Sequence, residues 1–110
     1  MVIAVASSGL QRSIAIVGEA VKAGWPVLIG AQVGETSVLT RAGLVAARAA
    51  GDALLALEGG FGTLLLAHDL TEPVLSFGFE GKLSLPDFLP AGAPGLGLAR
   101  NTEEPSAWTS

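Results

Sequence analysis

The sequence predicts an α/β fold of the βαβαβ kind, with three parallel strands joined by two crossover helices. Three observations predict it. Short apolar runs recur at VIAVASSG, PVLIGAQVGETS and ALLALEGGFG, each ending in a Gly-rich or carboxylate-bearing loop. The stretches between them carry apolar residues at helical spacing. Each of those stretches closes on a glycine, first Gly24 and then Gly51.

The elements follow in order. Val2 to Ala6 is a continuous apolar run rich in β-branched residues, which suits a strand buried on both faces. Ser7, Ser8 and Gly9 break it, and Ser8 is placed to cap a helix over Leu10 to Ala23. Ile14, Val17 and Val21 give that helix one apolar stripe. Gly24 ends it, and Pro26 opens a second strand, Val27 to Ala31, at a position where a missing N–H is tolerated. Thr36 or Ser37 caps a second helix that extends to Ala50, with Val38, Ala42, Val45 and Ala49 on one face. Gly43 and five alanines keep this helix thin enough to lie close to a sheet. Ala53 to Leu57 is the third strand, ending at Glu58 and the turn Gly59, Gly60, Phe61, Gly62. Right-handed crossovers are expected between the strands.

The pattern changes after Leu66. Residues 73–85 read as a hairpin turning at Glu80 and Gly81. A Pro/Gly-rich extended run and a polar tail follow. The chain therefore divides into strands and helices over 1–67, hairpin and extended segment over 68–100, and a frayed tail over 101–110.

Composition narrows the function classes. Half of the 110 residues are hydrophobic and only 15% are charged, which argues against disorder. The net charge is −4 and the six Lys and Arg are scattered, so nucleic acid is not an expected partner. With no cysteine there is no disulfide or thiol chemistry, which suits a reducing, cytoplasmic setting. No apolar run reaches the roughly 18 to 20 residues of a membrane span, so no membrane partner is expected.

Several side chains stand where chemistry is commonly done. Glu35 and Glu58 both follow a strand, the position from which α/β folds present catalytic groups. A carboxylate near a helix N-terminus, held by the helix dipole, is the plainer reading of Glu35. A surface carboxylate at a strand end is the plainer reading of Glu58. Gln32 is placed to donate to a ligand carboxylate or to satisfy its own loop. The turn that begins at Gly59 offers backbone N–H groups to an anion, yet matches neither GxGxxG nor a P-loop. His68 has Asp69 beside it but no serine nucleophile or ligand set to complete a triad or zinc site.

The string GAQVGETSVLTRAGLVAARAA, then EGGFG, the hairpin and the ending PGLGL occur in an order that resembles the C-terminal portion of the enolase superfamily, in its mandelate racemase and muconate-lactonizing group. The resemblance covers roughly residues 1–100. It implies a partial TIM-type barrel, in which the three strands are the last of a (β/α)8 barrel and residues 68–100 return to a capping domain. It implies a full-length parent acting on a small carboxylate substrate by α-proton abstraction, with Mg²⁺ stabilising the enediolate. Glu35 and Glu58 would then be catalytic residues of the parent, and Gln32 and Gly59 substrate-binding ones. The metal ligands would lie on strands preceding this sequence, so this chain holds no cofactor. The family's lysine base falls at Ala6 and its histidine base at Ala31, neither of which titrates. The chain alone is expected to be an inactive fragment that self-associates or binds a completing polypeptide. The alternative is a small α/β binding or assembly module without catalysis.

Overall fold

A computed structural model of the chain describes residues 1–32, 35–59, 65–72, 74–75, 78–82 and 95–100. It is a small α/β domain. Strand β1 (Val2–Ala4) leads through a single helical turn, α1 (Val5–Ser8), into α2 (Leu10–Lys22). Strand β2 (Val27–Gly30), helix α3 (Ser37–Ala50), a 3₁₀ turn (Gly51–Ala53) and strand β3 (Leu54–Leu57) follow. The three strands pair in parallel in the order β1-β2-β3, and the sheet is open, not closed into a barrel. Between Val27 and Leu28 the β2–β3 register shifts, leaving Leu55 as an extra residue in β3.

Both helices lie on one face of the sheet. Ile3, Val27 and Ile29 point from the strands into a core shared with Val17 and Ala20 of α2 and with Ala42, Ala46, Ala47 and Ala50 of α3. Burying the side chains of Val27 and Ile29 contributes about 1.5–3 kcal/mol each. The opposite face carries Val2, Leu28 and Ala56 in register across the sheet. Val2, on edge strand β1, is 71% exposed.

The first strand stops at Ala4, two residues short of the expected end, because the chain turns helical. The Gly9 N–H donates to the Val5 carbonyl at 2.8 Å, and the Ser8 Oγ donates to the Ala4 carbonyl at 3.0 Å. Gly9 then serves as N-cap of α2 with φ 77°, so Ser8 is not the cap. The buried stripe of α2 is Ser13, Val17 and Ala20, whereas Ile14 and Val21 are 37% and 42% exposed. The helix is rotated by roughly 65° from the stripe that apolar periodicity predicts, with Val17 common to both. Ser13 tolerates full burial because its hydroxyl donates to the Gly9 carbonyl at 2.7 Å and lies 2.8 Å from the Ser8 Oγ.

The helix ends match the expected stops more closely. At the end of α2 the Trp25 N–H donates to the Ala20 carbonyl and the Gly24 N–H to the Val21 carbonyl. Gly24, at φ 74°, completes this paired motif. In α3 the face packed on the sheet is Ala42, Gly43, Ala46, Ala47 and Ala50; Val38 and Val45 are half-buried and Ala49 is exposed. A Cβ built on Gly43 would lie 3.6 Å from Leu57 Cδ1 and 3.7 Å from Ile29 Cγ2, ordinary van der Waals distances. The close helix–sheet approach therefore does not require glycine there. Gly43→Ala is expected to raise stability by about 0.5–1 kcal/mol, from helix propensity, as a shift in urea midpoint without a change in slope.

Beyond β3, strands β4 (Thr71–Glu72) and β5 (Ala99–Arg100) form a short antiparallel pair that the sequence pattern did not suggest. The expected turn is present. Glu80 and Gly81 take φ 58° and 69°, and the Lys82 N–H donates to the Phe79 carbonyl at 3.2 Å. Most of the strands expected to flank that turn, the GFG part of the glycine turn, most of the extended run and the 101–110 tail lie outside the described residues.

Candidate functional site at the carboxyl edge of the sheet

Parallel strands bring all their carboxyl ends to one edge, where ligands of such folds bind. Glu58 follows β3, and its N–H donates to the Ile29 carbonyl at 2.8 Å, extending the ladder beyond β3. Its carboxylate reaches across β2, where Glu58 Oε2 accepts from the Ala31 N–H at 3.3 Å. The same oxygen would lie 3.8 Å from a Cβ built on Gly30, so the side chain stretches over the end of β2. Glu58 is exposed.

Glu35 reaches the neighbouring residue. Its Oε1 accepts from the Gln32 N–H at 2.7 Å, and its own N–H donates to the Gln32 carbonyl at 3.4 Å. At 8% exposure it is one of the most buried ionisable side chains described. Two carboxylates thus bind two consecutive backbone amides, those of Ala31 and Gln32, where β2 runs out. Glu35, Glu58 and Gln32 therefore share one edge, as their strand-end positions predict. Gly59 is placed differently. It is buried, and a Cβ there would lie 3.6 Å from Thr40 Cγ2, so it backs onto α3.

Chemically, this edge offers hydrogen-bond acceptors whose nearest donors are backbone N–H groups. Of the two carboxylates, only Glu58 is open to a ligand in solvent. The two ion pairs observed among the described residues, Lys22–Glu19 and Lys82–Glu80, involve neither of them. The places that the resemblance gives to a base hold Ala6, in α1, and Ala31, whose N–H is taken by Glu58. A hard divalent cation does not fit the donor set. Mg²⁺ needs several oxygens at near-octahedral positions, and no group of three or more His, Cys, Asp or Glu gathers among the described residues.

A second polar cluster is centred on Asp69, which the sequence marked only as a neighbour of His68. Its Oδ1 and Oδ2 accept from the Ser37 N–H at 3.1 and 3.0 Å, and Oδ2 accepts from the Ser37 Oγ at 2.6 Å. The Leu70 N–H adds a bond of 2.7 Å to Oδ1. The Ser37 Oγ in turn accepts from the Leu75 N–H at 2.7 Å. Neither Thr36 nor Ser37 caps α3 through its own side chain, and a carboxylate 32 residues along the chain takes the free N–H. Asp69 is thus bound up in capping, while His68 beside it is exposed. No local signal marks such a cap, because the pairing is tertiary.

Among the described residues no helix is long and apolar enough to cross a membrane. No protein-family model, no curated protein and no solved structure matches the chain.

Proposed function

We propose that the chain is the closing segment of an enolase-type barrel, inactive alone, from a parent that abstracts the α-proton of small carboxylate substrates with Mg²⁺. The observation that carries this reading is an arrangement. Three sequential parallel strands have both crossover helices on one face and place Glu35 and Glu58 together at the carboxyl edge. A single-wound sheet of this kind is the repeating unit of a (β/α)8 barrel, whose active sites form at that edge. The face bearing Val2, Leu28 and Ala56 becomes the barrel interior on this reading. Gln32, Glu35 and Glu58 would border the substrate pocket, with the ligands for Mg²⁺ supplied by strands outside this chain. The small-module alternative draws support from a groove on α2, taken up below.

Solvent-deuterium exchange at the α-carbon of a panel of carboxylates, with and without Mg²⁺, tests the chemistry. The expected result is no exchange above background, since removing a general base alone costs about 10²–10⁴ in rate. Exchange abolished by Glu35→Gln or Glu58→Gln would assign a carboxylate as base and overturn the inactive-segment reading. Genomic sequence upstream of the start codon tests the parent. An in-frame extension with acidic residues at strand ends is expected, and its absence would leave the module reading in its place.

A further inference from the structure

The groove lies away from the carboxyl edge. It is an open groove along one side of α2, with about 580 Å³ between Met1, Arg12, Ala15, Ile16, Glu19 and Trp25, and its lining takes in the buried Ala20. Its large apolar walls face solvent, with Met1 44% and Trp25 53% exposed. Its two charges are arranged in a specific way. Arg12 and Glu19 stand on the same face of α2, two turns and ~10 Å apart, and bracket Ala15 and Ile16. Among the described residues Arg12 makes no ion pair. Glu19 pairs, among the described residues, only with Lys22, at 3.5 Å, with both side chains more than three-quarters exposed (78% and 77%).

We propose that the 110-residue chain forms a two-fold dimer through this face of α2, with Arg12 of each copy against Glu19 of the other. The charge order selects the occupant. A two-fold axis between antiparallel copies of α2 exchanges the two positions, so both Arg–Glu contacts form at once. A parallel pairing would oppose like charges. Ala15, between the charges, lets the helices approach closely, and the contact covers Met1 and Trp25. Edge strand β3, whose pairing with β2 is irregular at Leu55, is a weaker candidate. This inference goes beyond the proposed chemistry and does not depend on it.

Sedimentation equilibrium on the full chain tests it, with circular dichroism as a check on folding, which substitutions at these exposed positions should leave intact. The expected result is a reversible dimer that weakens as salt is raised from 0.05 to about 0.5 M. R12E and E19R should each raise Kd at least about tenfold, since each turns two attractions into repulsions. The double variant R12E/E19R should return Kd to within about threefold of the starting value. Recovery in the double variant is the decisive readout, because a general loss of solubility or fold would not reverse. A monomer at all concentrations overturns the proposal, including one that associates only with another polypeptide. So does a dimer in which the double variant is no better than the singles, or one broken by Leu55→Lys but not by R12E.

Discussion

Asp69→Ala is expected to cost about 2–4 kcal/mol of folding stability, a large effect for a half-buried surface acid. The magnitude follows from what the carboxylate satisfies. It accepts from the Ser37 N–H, the Ser37 hydroxyl and the Leu70 N–H. Ser37 is 1% exposed, so water cannot replace the lost acceptor without opening the start of α3. Hydrogen bonds to an ionised partner contribute about 1.5–3 kcal/mol, and an orphaned buried donor costs about 1–3 kcal/mol. The position at a helix N-terminus adds a few tenths to about 1 kcal/mol for the negative charge. Asp69→Asn keeps one acceptor and should lose less than half as much. Ser37→Ala removes the hydroxyl that accepts from the Leu75 N–H and should cost about 1–3 kcal/mol. The double variant should be much less destabilised than the sum of the singles, because both disrupt one network. Urea denaturation of the unchanged protein and the four variants measures all of this. An Asp69→Ala loss under about 0.5 kcal/mol would show that the cluster is solvated and does not cap α3.

This cluster marks where the sequence stops being informative. Local signals were legible. The end of α3 at Gly51, the stop at Gly24 and the turn at Glu80 and Gly81 all follow from residue chemistry acting within a few positions. The common edge of Glu35, Glu58 and Gln32 also follows, since parallel strands leave no other place for strand-end residues. Two kinds of fact were not legible. One is which way a helix is turned: periodicity assigns apolar residues inward, but Ser13 satisfies its hydroxyl within one turn and takes the buried place, leaving Ile14 partly outside. The other is long-range pairing: Asp69 with Ser37, Glu58 with the Ala31 N–H, β4 with β5. Strand-end position located the two carboxylates but not their partners. Their being spent on consecutive amides at the end of β2 is a property of the folded chain.

Ile29→Ala is expected to cost about 2–5 kcal/mol, and Gly43→Val is expected to reverse its sign of effect between the two backgrounds. Ile29 is 1% exposed at the centre of β2, among the largest fully buried side chains described. Truncation removes the transfer energy of three carbons and leaves a cavity that the rigid sheet cannot close. The cavity would open toward α3, because Ile29 Cγ2 lies 3.7 Å from the position of a Cβ on Gly43. In the native protein that position accepts one methyl in ordinary contact. A valine there must place two more carbons near Ile29 or Leu57 and should overpack by about 1–3 kcal/mol. With Ile29 shortened, the same two carbons enter vacated space, and Gly43→Val should recover about 1–2 kcal/mol of the loss. Chemical denaturation of the four-protein cycle gives the coupling, expected at about 2 kcal/mol or more and favourable to the pair. Additive losses would place the cavity elsewhere and separate α3 from β2 at this point. The packing matters to the edge above it, because Ile29 is one residue from Gly30, over which Glu58 reaches to the Ala31 N–H. A β2 that shifts into the cavity displaces those amides, so the destabilised single variant should also show faster hydrogen exchange at Ala31 and Gln32, and the refilled pair should not.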